Sequence, residues 1–274
     1  SGGLSSWTSS GMTALSTPRY GLSAQAYNDT IYVIGGNESF TGTPVTKVQY
    51  SKLSPSGNMN AWVDTNSLIN SGRMTMGGVF STIFGGYVYV AGGCSALNGS
   101  GYCTGIANDV QLASINADGS LASFKTIVGL ENNRIGHTLI AWQGGLYRLG
   151  GCRVQDPGSG TCTNTIFDVD YGVINKTGEA STVNSSQAYG TAPCSGGDPY
   201  SCDLPGTSYI GNMLTGTAIY NGYLYIIGGC TNNACTTSTG NIAYQAIQTD
   251  GSLVRPNVCP NGNYVSSYCI DDVN

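Results

Sequence analysis

The chain contains one histidine, His137, three residues after Arg134, and a further arginine, Arg148, eleven residues beyond it. An imidazole can serve as a general base or a ligand, and a guanidinium can grip a carboxylate or phosphate through two parallel hydrogen bonds. Arg148 sits in the run WQGGLYRLGGC, residues 142–152. The same frame recurs as YNDTIYVIGGN from Tyr27, FGGYVYVAGGC from Phe84 and YNGYLYIIGGC from Tyr220, with Val33, Val90 and Ile226 at the position of Arg148. A charge at an otherwise apolar strand position demands a partner, because an unpaired buried charge is costly. Asp168 and Asp170 are the candidate carboxylates. Arg148, His137 and Arg134 are therefore the candidate ligand-binding residues, and an internal ion pair with a hydrogen-bonded histidine is the competing role for them. No G-x-S-x-G elbow accompanies His137, so no catalytic residue is assigned.

The ten cysteines fall into five close couples: Cys94 with Cys103, Cys152 with Cys162, Cys194 with Cys202, Cys230 with Cys235, and Cys259 with Cys269. Metal sites favour clustered ligands with short spacings, and these intervals are mostly longer, with one histidine in the whole chain. Five disulfides, each tying off a loop, are the expectation, with no metal and no cofactor. Disulfides on this scale imply an oxidising compartment, extracellular or at the cell surface. The opening SGGLSSWTSS is not of signal-peptide type, and a mature or truncated chain is expected. Asn28, Asn37, Asn98, Asn175 and Asn184 head Asn-X-Ser/Thr sequences in expected turns or loops and are candidate N-glycosylation sites.

The elements that position these residues follow from the repeat. In every copy an aromatic precedes the Gly pair by eight residues and a Tyr precedes it by three. The pairs Gly35-Gly36, Gly92-Gly93, Gly150-Gly151 and Gly228-Gly229 are spaced by 57, 58 and 78 residues. Around the first, GLSAQAY and TIYVI read as two strands joined at Asn28-Asp29, VTKVQYSKL as a third, and a short strand with Trp62 as the last. DGSLASF is the expected last strand of the second copy. Such a meander cannot bury both faces alone and must stack on its neighbours, as blades do in a β-propeller.

The Gly-Gly doublet after a hydrophobic strand, the aromatics at fixed offsets, and Arg19-Tyr-Gly and Arg134-Ile-Gly-His137 resemble kelch repeats. The resemblance implies an all-β fold, a β-propeller built of four-stranded antiparallel blades. It covers residues 1–253, with repeats at about 18–70, 73–130, 134–185 and 212–253, an outer-strand copy at 1–17 and an insert at 186–211. The segment 254–274 is expected to form a C-terminal disulfide hairpin or cap. The resemblance also gives His137 a structural hydrogen bond. Gly2-Gly3-Leu4 with Trp7 matches Gly57-x-Met59 with Trp62 and Gly119-x-Leu121 with Phe124, so the chain opens on a blade tail without its head. That strand closes the fourth blade, belongs to a longer propeller, or is donated to another copy.

Only 9% of residues are charged and the net charge is −5, which argues against a nucleic-acid partner. No run of about 18 apolar residues is present, so no membrane insertion is expected. One histidine excludes a copper site of the galactose-oxidase kind, and ADGSLASF and TDGSLVRP lack the sialidase S-x-D-x-G-x-x-W box. The functional expectation is a non-catalytic extracellular structural or adhesive module, in its sharpest form a self-assembling subunit of a surface layer or filament. Its partners are then other copies of itself, or cell-surface proteins and glycans. The alternative is a carbohydrate-binding or carbohydrate-active kelch-type protein, a lectin or sialic-acid mutarotase-like protein using Arg19, Arg134 and Arg148 at the propeller mouth.

Overall fold

The computed structural model describes residues 11–68, 70–129, 133–166, 169–181, 213–230, 235–238 and 242–247, together with residues 6, 9, 240, 249 and 251. The surplus N-terminal strand motif, the insert at 186–211 and the C-terminal segment lie wholly or largely outside these. The described residues form eighteen β-strands and no helix. Sheet 1 runs in the order β1 (Ser23–Tyr27), β2 (Thr30–Ile34), β3 (Val48–Lys52), β4 (Val63–Asp64). Sheet 2 contains β5 (Ser81–Phe84), β6 (Tyr87–Ala91), β9 (Asp109–Ser114) and β10 (Lys125–Gly129), side by side in that order. Sheet 3 is β11 (Thr138–Trp142), β12 (Gly145–Leu149) and β15 (Val169–Val173), and sheet 4 is β16 (Gly216–Tyr220), β17 (Tyr223–Ile227) and β18 (Ile242–Ala246). All their strand pairs are antiparallel.

Two features depart from the sequence expectation. The segments after the second and third Gly pairs are hairpins rather than loops: β7 (Cys94–Leu97) with β8 (Cys103–Ile106), and β13 (Cys152–Gln155) with β14 (Cys162–Thr165). DGSLASF is not a strand. Asp118-Gly119-Ser120 makes a tight turn that brings Leu121 back to bridge Ile115, and the paired strand begins only at Lys125. The β-branched run Lys125-Thr-Ile-Val suits the extended backbone better than Asp-Gly-Ser does.

The sheets stack in chain order, each apolar face meeting the next. Tyr32, Ile34 and Val48 of sheet 1 pack on Phe80, Val88, Val90 and Ala113. The other face of sheet 2, with Tyr89, Ala91, Val110 and Leu112, packs on Leu139 and Leu146. Tyr147, Leu149, Val169 and Tyr171 then cover Leu224 and Ile226 of sheet 4. The first strands of successive sheets are also tied. Ser81 Oγ donates to Ser23 Oγ at 2.7 Å, Gln25 Nε2 to the Ser81 carbonyl at 2.7 Å, and Thr138 Oγ1 to the Thr215 carbonyl at 3.2 Å.

One polar contact recurs at every junction. The Tyr three residues before each Gly pair sends its hydroxyl into the tail turn of the following sheet. Tyr32 reaches the Gly119 carbonyl at 2.8 Å, Tyr89 the Gly178 carbonyl at 2.7 Å, and Tyr147 the Gly251 carbonyl at 2.6 Å. Burial pushes the Tyr32 hydroxyl up to about 12 and the Tyr89 hydroxyl further up, so both remain protonated donors. Tyr89→Phe leaves a buried carbonyl without its donor and is expected to cost about 1–2 kcal/mol. A lowered urea midpoint with unchanged denaturant slope checks it.

Candidate functional site

Arg134, Arg148 and His137 converge at the head of sheet 3, whereas Arg19 stands apart in sheet 1. Arg148 lies near the end of β12, opposite Asp170 of β15 and Leu139 of β11. Its Nε donates to Asp170 Oδ2 at 2.9 Å and its Nη2 donates to the same oxygen. The other carboxylate oxygen accepts from Arg134 Nη2 at 2.7 Å, and Arg134 Nη1 donates to the Gly150 carbonyl at 3.2 Å. All three side chains have 0% solvent exposure. Asp168, the other candidate carboxylate, lies outside the described residues.

Arg134 belongs to a series. Arg19, the opening arginine of sheet 1, donates from Nη1 to the Gly35 carbonyl at 2.9 Å and from Nη2 to Gln49 Oε1 at 2.8 Å. Gln49 faces Val33 in register just as Asp170 faces Arg148. Both arginines therefore brace the Gly pair against the third strand of their own sheet. Where sheet 1 uses the neutral pair Val33 and Gln49, sheet 3 substitutes a charge on each strand. Arg73 is a further buried arginine, pairing with Asp109 at the start of β9, the third strand of sheet 2. Sequence reading missed it because it stands 19 residues before its Gly pair, whereas Arg19 and Arg134 stand 16 before theirs. The run Met-Thr-Met-Gly-Gly-Val-Phe that follows Arg73 was the available signal.

His137 is buried, and its Nε2 lies 3.0 Å from the Ala91 carbonyl, which requires that nitrogen to carry the proton. Burial, with Arg148 and Arg134 nearby, pushes its pKa down to about 3. The ring is neutral in the fold and titrates near 6.5 when unfolded, so the unfolded chain binds more protons between those values. Stability from this group is complete above pH 6.5 and declines as pH falls towards 3, by up to about 1.4 kcal/mol per pH unit. His137→Gln is expected to flatten the fall in melting temperature between pH 6.5 and 5, where the carboxylates have barely begun to titrate.

Cys94–Cys103, Cys152–Cys162 and Cys230–Cys235 are disulfides. The first two cross-link the β7–β8 and β13–β14 hairpins, and their sulfurs pack with Met74, Ile135 and Met213 in a buried cluster. They are part of a core, which loop stapling alone did not imply. Cys194, Cys202, Cys259 and Cys269 lie outside the described residues. Of the glycosylation candidates, Asn28 and Asn175 are exposed. Asn37 is 1% exposed and its Nδ2 donates to the Gly42 carbonyl at 2.8 Å, which opposes modification of the folded chain. Asn98 is half-buried and spends its amide on the Pro157 carbonyl of the neighbouring hairpin, which opposes modification of the folded chain. Asn184 lies outside the described residues.

The cluster is internal wiring of an all-β protein made of stacked antiparallel sheets. No protein-family model matches the chain, and no curated protein matches it. A solved structure titled "Structure of YjhT", a β-propeller, aligns with 90% of this chain and 71% of its own, with a TM-score of 0.56 at 13% identity. At that identity the likeness is one of fold.

Proposed function

We propose that this chain is a kelch-like β-propeller module acting outside the cell as a non-catalytic structural or adhesive element, in the form of a subunit that assembles with copies of itself. The observation that carries the proposal is the outer face of sheet 4. Tyr220, Tyr223, Ile227, Ile242 and Tyr244 lie exposed together on it, whereas the corresponding faces of sheets 1, 2 and 3 are each covered by the next sheet. Contiguous exposed apolar surface of this kind marks an interaction site. The burial of Arg134, Arg148 and His137 supports the same reading, since a guanidinium without solvent access offers an anionic sugar nothing to bind. The disulfides support an oxidising location.

The test is the mass of the full chain in non-reducing buffer across a range of concentrations, together with electron microscopy. Mass rising in multiples of 28.3 kDa, or regular arrays, is the expected result. A 28.3 kDa particle at every concentration that binds a glycan array, with binding lost in a still-folded Arg148→Ala variant, would replace this reading by the carbohydrate-binding one.

A further inference from the structure

Each junction between sheets follows one rule, and among the described residues the rule leaves one donor and one acceptor unused, in sheet 4 and in sheet 1. The donors are the tyrosines before the Gly pairs: Tyr32, Tyr89 and Tyr147 reach Gly119, Gly178 and Gly251 of the next sheet. The fourth of the series is Tyr225, central in β17, flanked in register by Ala218 and Tyr244. Its hydroxyl has no hydrogen-bond partner among the described residues. The acceptor turns likewise form a series. Gly57, Gly119, Gly178 and Gly251 adopt φ of +83°, +88°, +82° and +85°. In the first three, the glycine N–H bonds the carbonyl three residues back, from Ser54, Asn116 and Asn175, at 2.8, 2.9 and 3.0 Å. Gly119 is packed by Thr30 and Tyr50, Gly178 by Tyr87 and Gly251 by Tyr171, all from the preceding sheet, while Gly57 is exposed with no neighbour within 4 Å of its Cβ direction.

We infer that the outer face of sheet 4 docks on the free face of sheet 1 of a second copy, head to tail, with Tyr225 donating to the Gly57 carbonyl of that copy. The inference rests on the self-assembly reading and names its surfaces. The two surfaces fit chemically. Tyr220, Tyr223, Ile227, Ile242 and Tyr244 form an uncharged aromatic and aliphatic outer face. On sheet 1 the face away from sheet 2 is open along its first strand, where Ala24 and Ala26 are exposed and Ile31 half-buried, while Val33, Gln49 and Ser51 beside them are covered; the open residues stand at the register positions that Ser81, Ile83 and Val88 occupy where sheet 2 receives sheet 1. Small alanines there leave room for the large tyrosines opposite. Neither surface is filled by the other among the described residues: Tyr220 is 74% exposed and Gly57 stands in open space. A contact that joins two different surfaces does not close on itself by two-fold symmetry; it propagates into a filament or a ring.

Two variants of the full chain test this, each at exposed positions: Ile242→Lys blocks the outer face of sheet 4, and Ala24→Arg blocks the free face of sheet 1. Sedimentation velocity reads the mass, and melting temperature shows that each variant is folded. Each variant alone is expected to stay at 28.3 kDa at concentrations where the unaltered chain assembles. An equimolar mixture is expected to stop at two chains, because one unblocked surface of each kind remains. Tyr225→Phe is expected to weaken assembly about fivefold, the worth of one hydrogen bond. If both variants assemble like the unaltered chain, this interface is wrong and self-assembly by other surfaces stands. If Ile242→Lys alone is monomeric and Ala24→Arg forms dimers, two sheet-4 faces meet symmetrically and the head-to-tail contact is overturned. If the unaltered chain is monomeric throughout, the self-assembly reading falls, and this inference falls with it.

Discussion

Asp170→Ala is expected to destabilise the fold by about 3–5 kcal/mol, because it removes a carboxylate that two buried guanidinium groups share. Domains of this size have total stabilities of about 5–15 kcal/mol, so the variant should melt far earlier or fail to accumulate. Arg148→Val is expected to behave quite differently. It installs the residue found at the matching position of sheets 1 and 2, Val33 and Val90, and leaves Asp170 paired with Arg134 much as Gln49 is paired with Arg19. Replacing part of a buried ionic group by a well-packed apolar side chain is often neutral or stabilising, so its cost should stay below about 1.5 kcal/mol. Urea unfolding of both variants decides the matter. A loss from Arg148→Val equal to that from Asp170→Ala would mean that the positive charge itself is required in sheet 3, and the brace account would be wrong.

The parts of this architecture that were legible in the sequence are those governed by local chemistry. TIYVI, YVYVA, GLYRL and YLYII are β-branched and aromatic, end at Gly-Gly, and are the second strands of the four sheets. Close cysteine spacing marked the three disulfides. The demand of Arg148 for a carboxylate pointed to Asp168 and Asp170, and Asp170 pairs with it. Three things were illegible because they depend on the neighbouring sheet. The hairpins after Cys94 and Cys152 have irregular register, so no period-2 alternation announces them. Asn37 has the exposed-loop motif for a glycan, yet its side chain turns inward to the Gly42 carbonyl. The tyrosine contacts link residues 87, 89 and 104 positions apart, and only packing shows that one repeat signs its hydroxyl into the turn of the next.

Gly35→Ala should be the most damaging single-methyl change in the first sheet. Gly35 has φ of +60°, the left-handed region, where any Cβ carries a backbone penalty of about 1–2 kcal/mol. Steric overlap adds a greater cost. An added Cβ would overlap the Arg73 carbonyl oxygen, a backbone atom with no rotamer by which to move aside. That oxygen already accepts from the Gly36 N–H at 2.7 Å, a direct backbone bond between sheet 1 and the entry to sheet 2. Relief of the clash therefore breaks this bond and draws Arg73 away from Asp109, and the combined loss is expected to exceed about 4 kcal/mol. Gly57→Ala is the matched control. Its φ of +83° imposes a similar backbone penalty, but open space surrounds it, so its loss should stay near about 1–2 kcal/mol. Thermal melts of the two variants side by side separate strain from overlap. Nearly equal losses would show that sheet 1 can shift away from Arg73 without consequence, and that the Gly pair serves the turn alone rather than the seam between sheets.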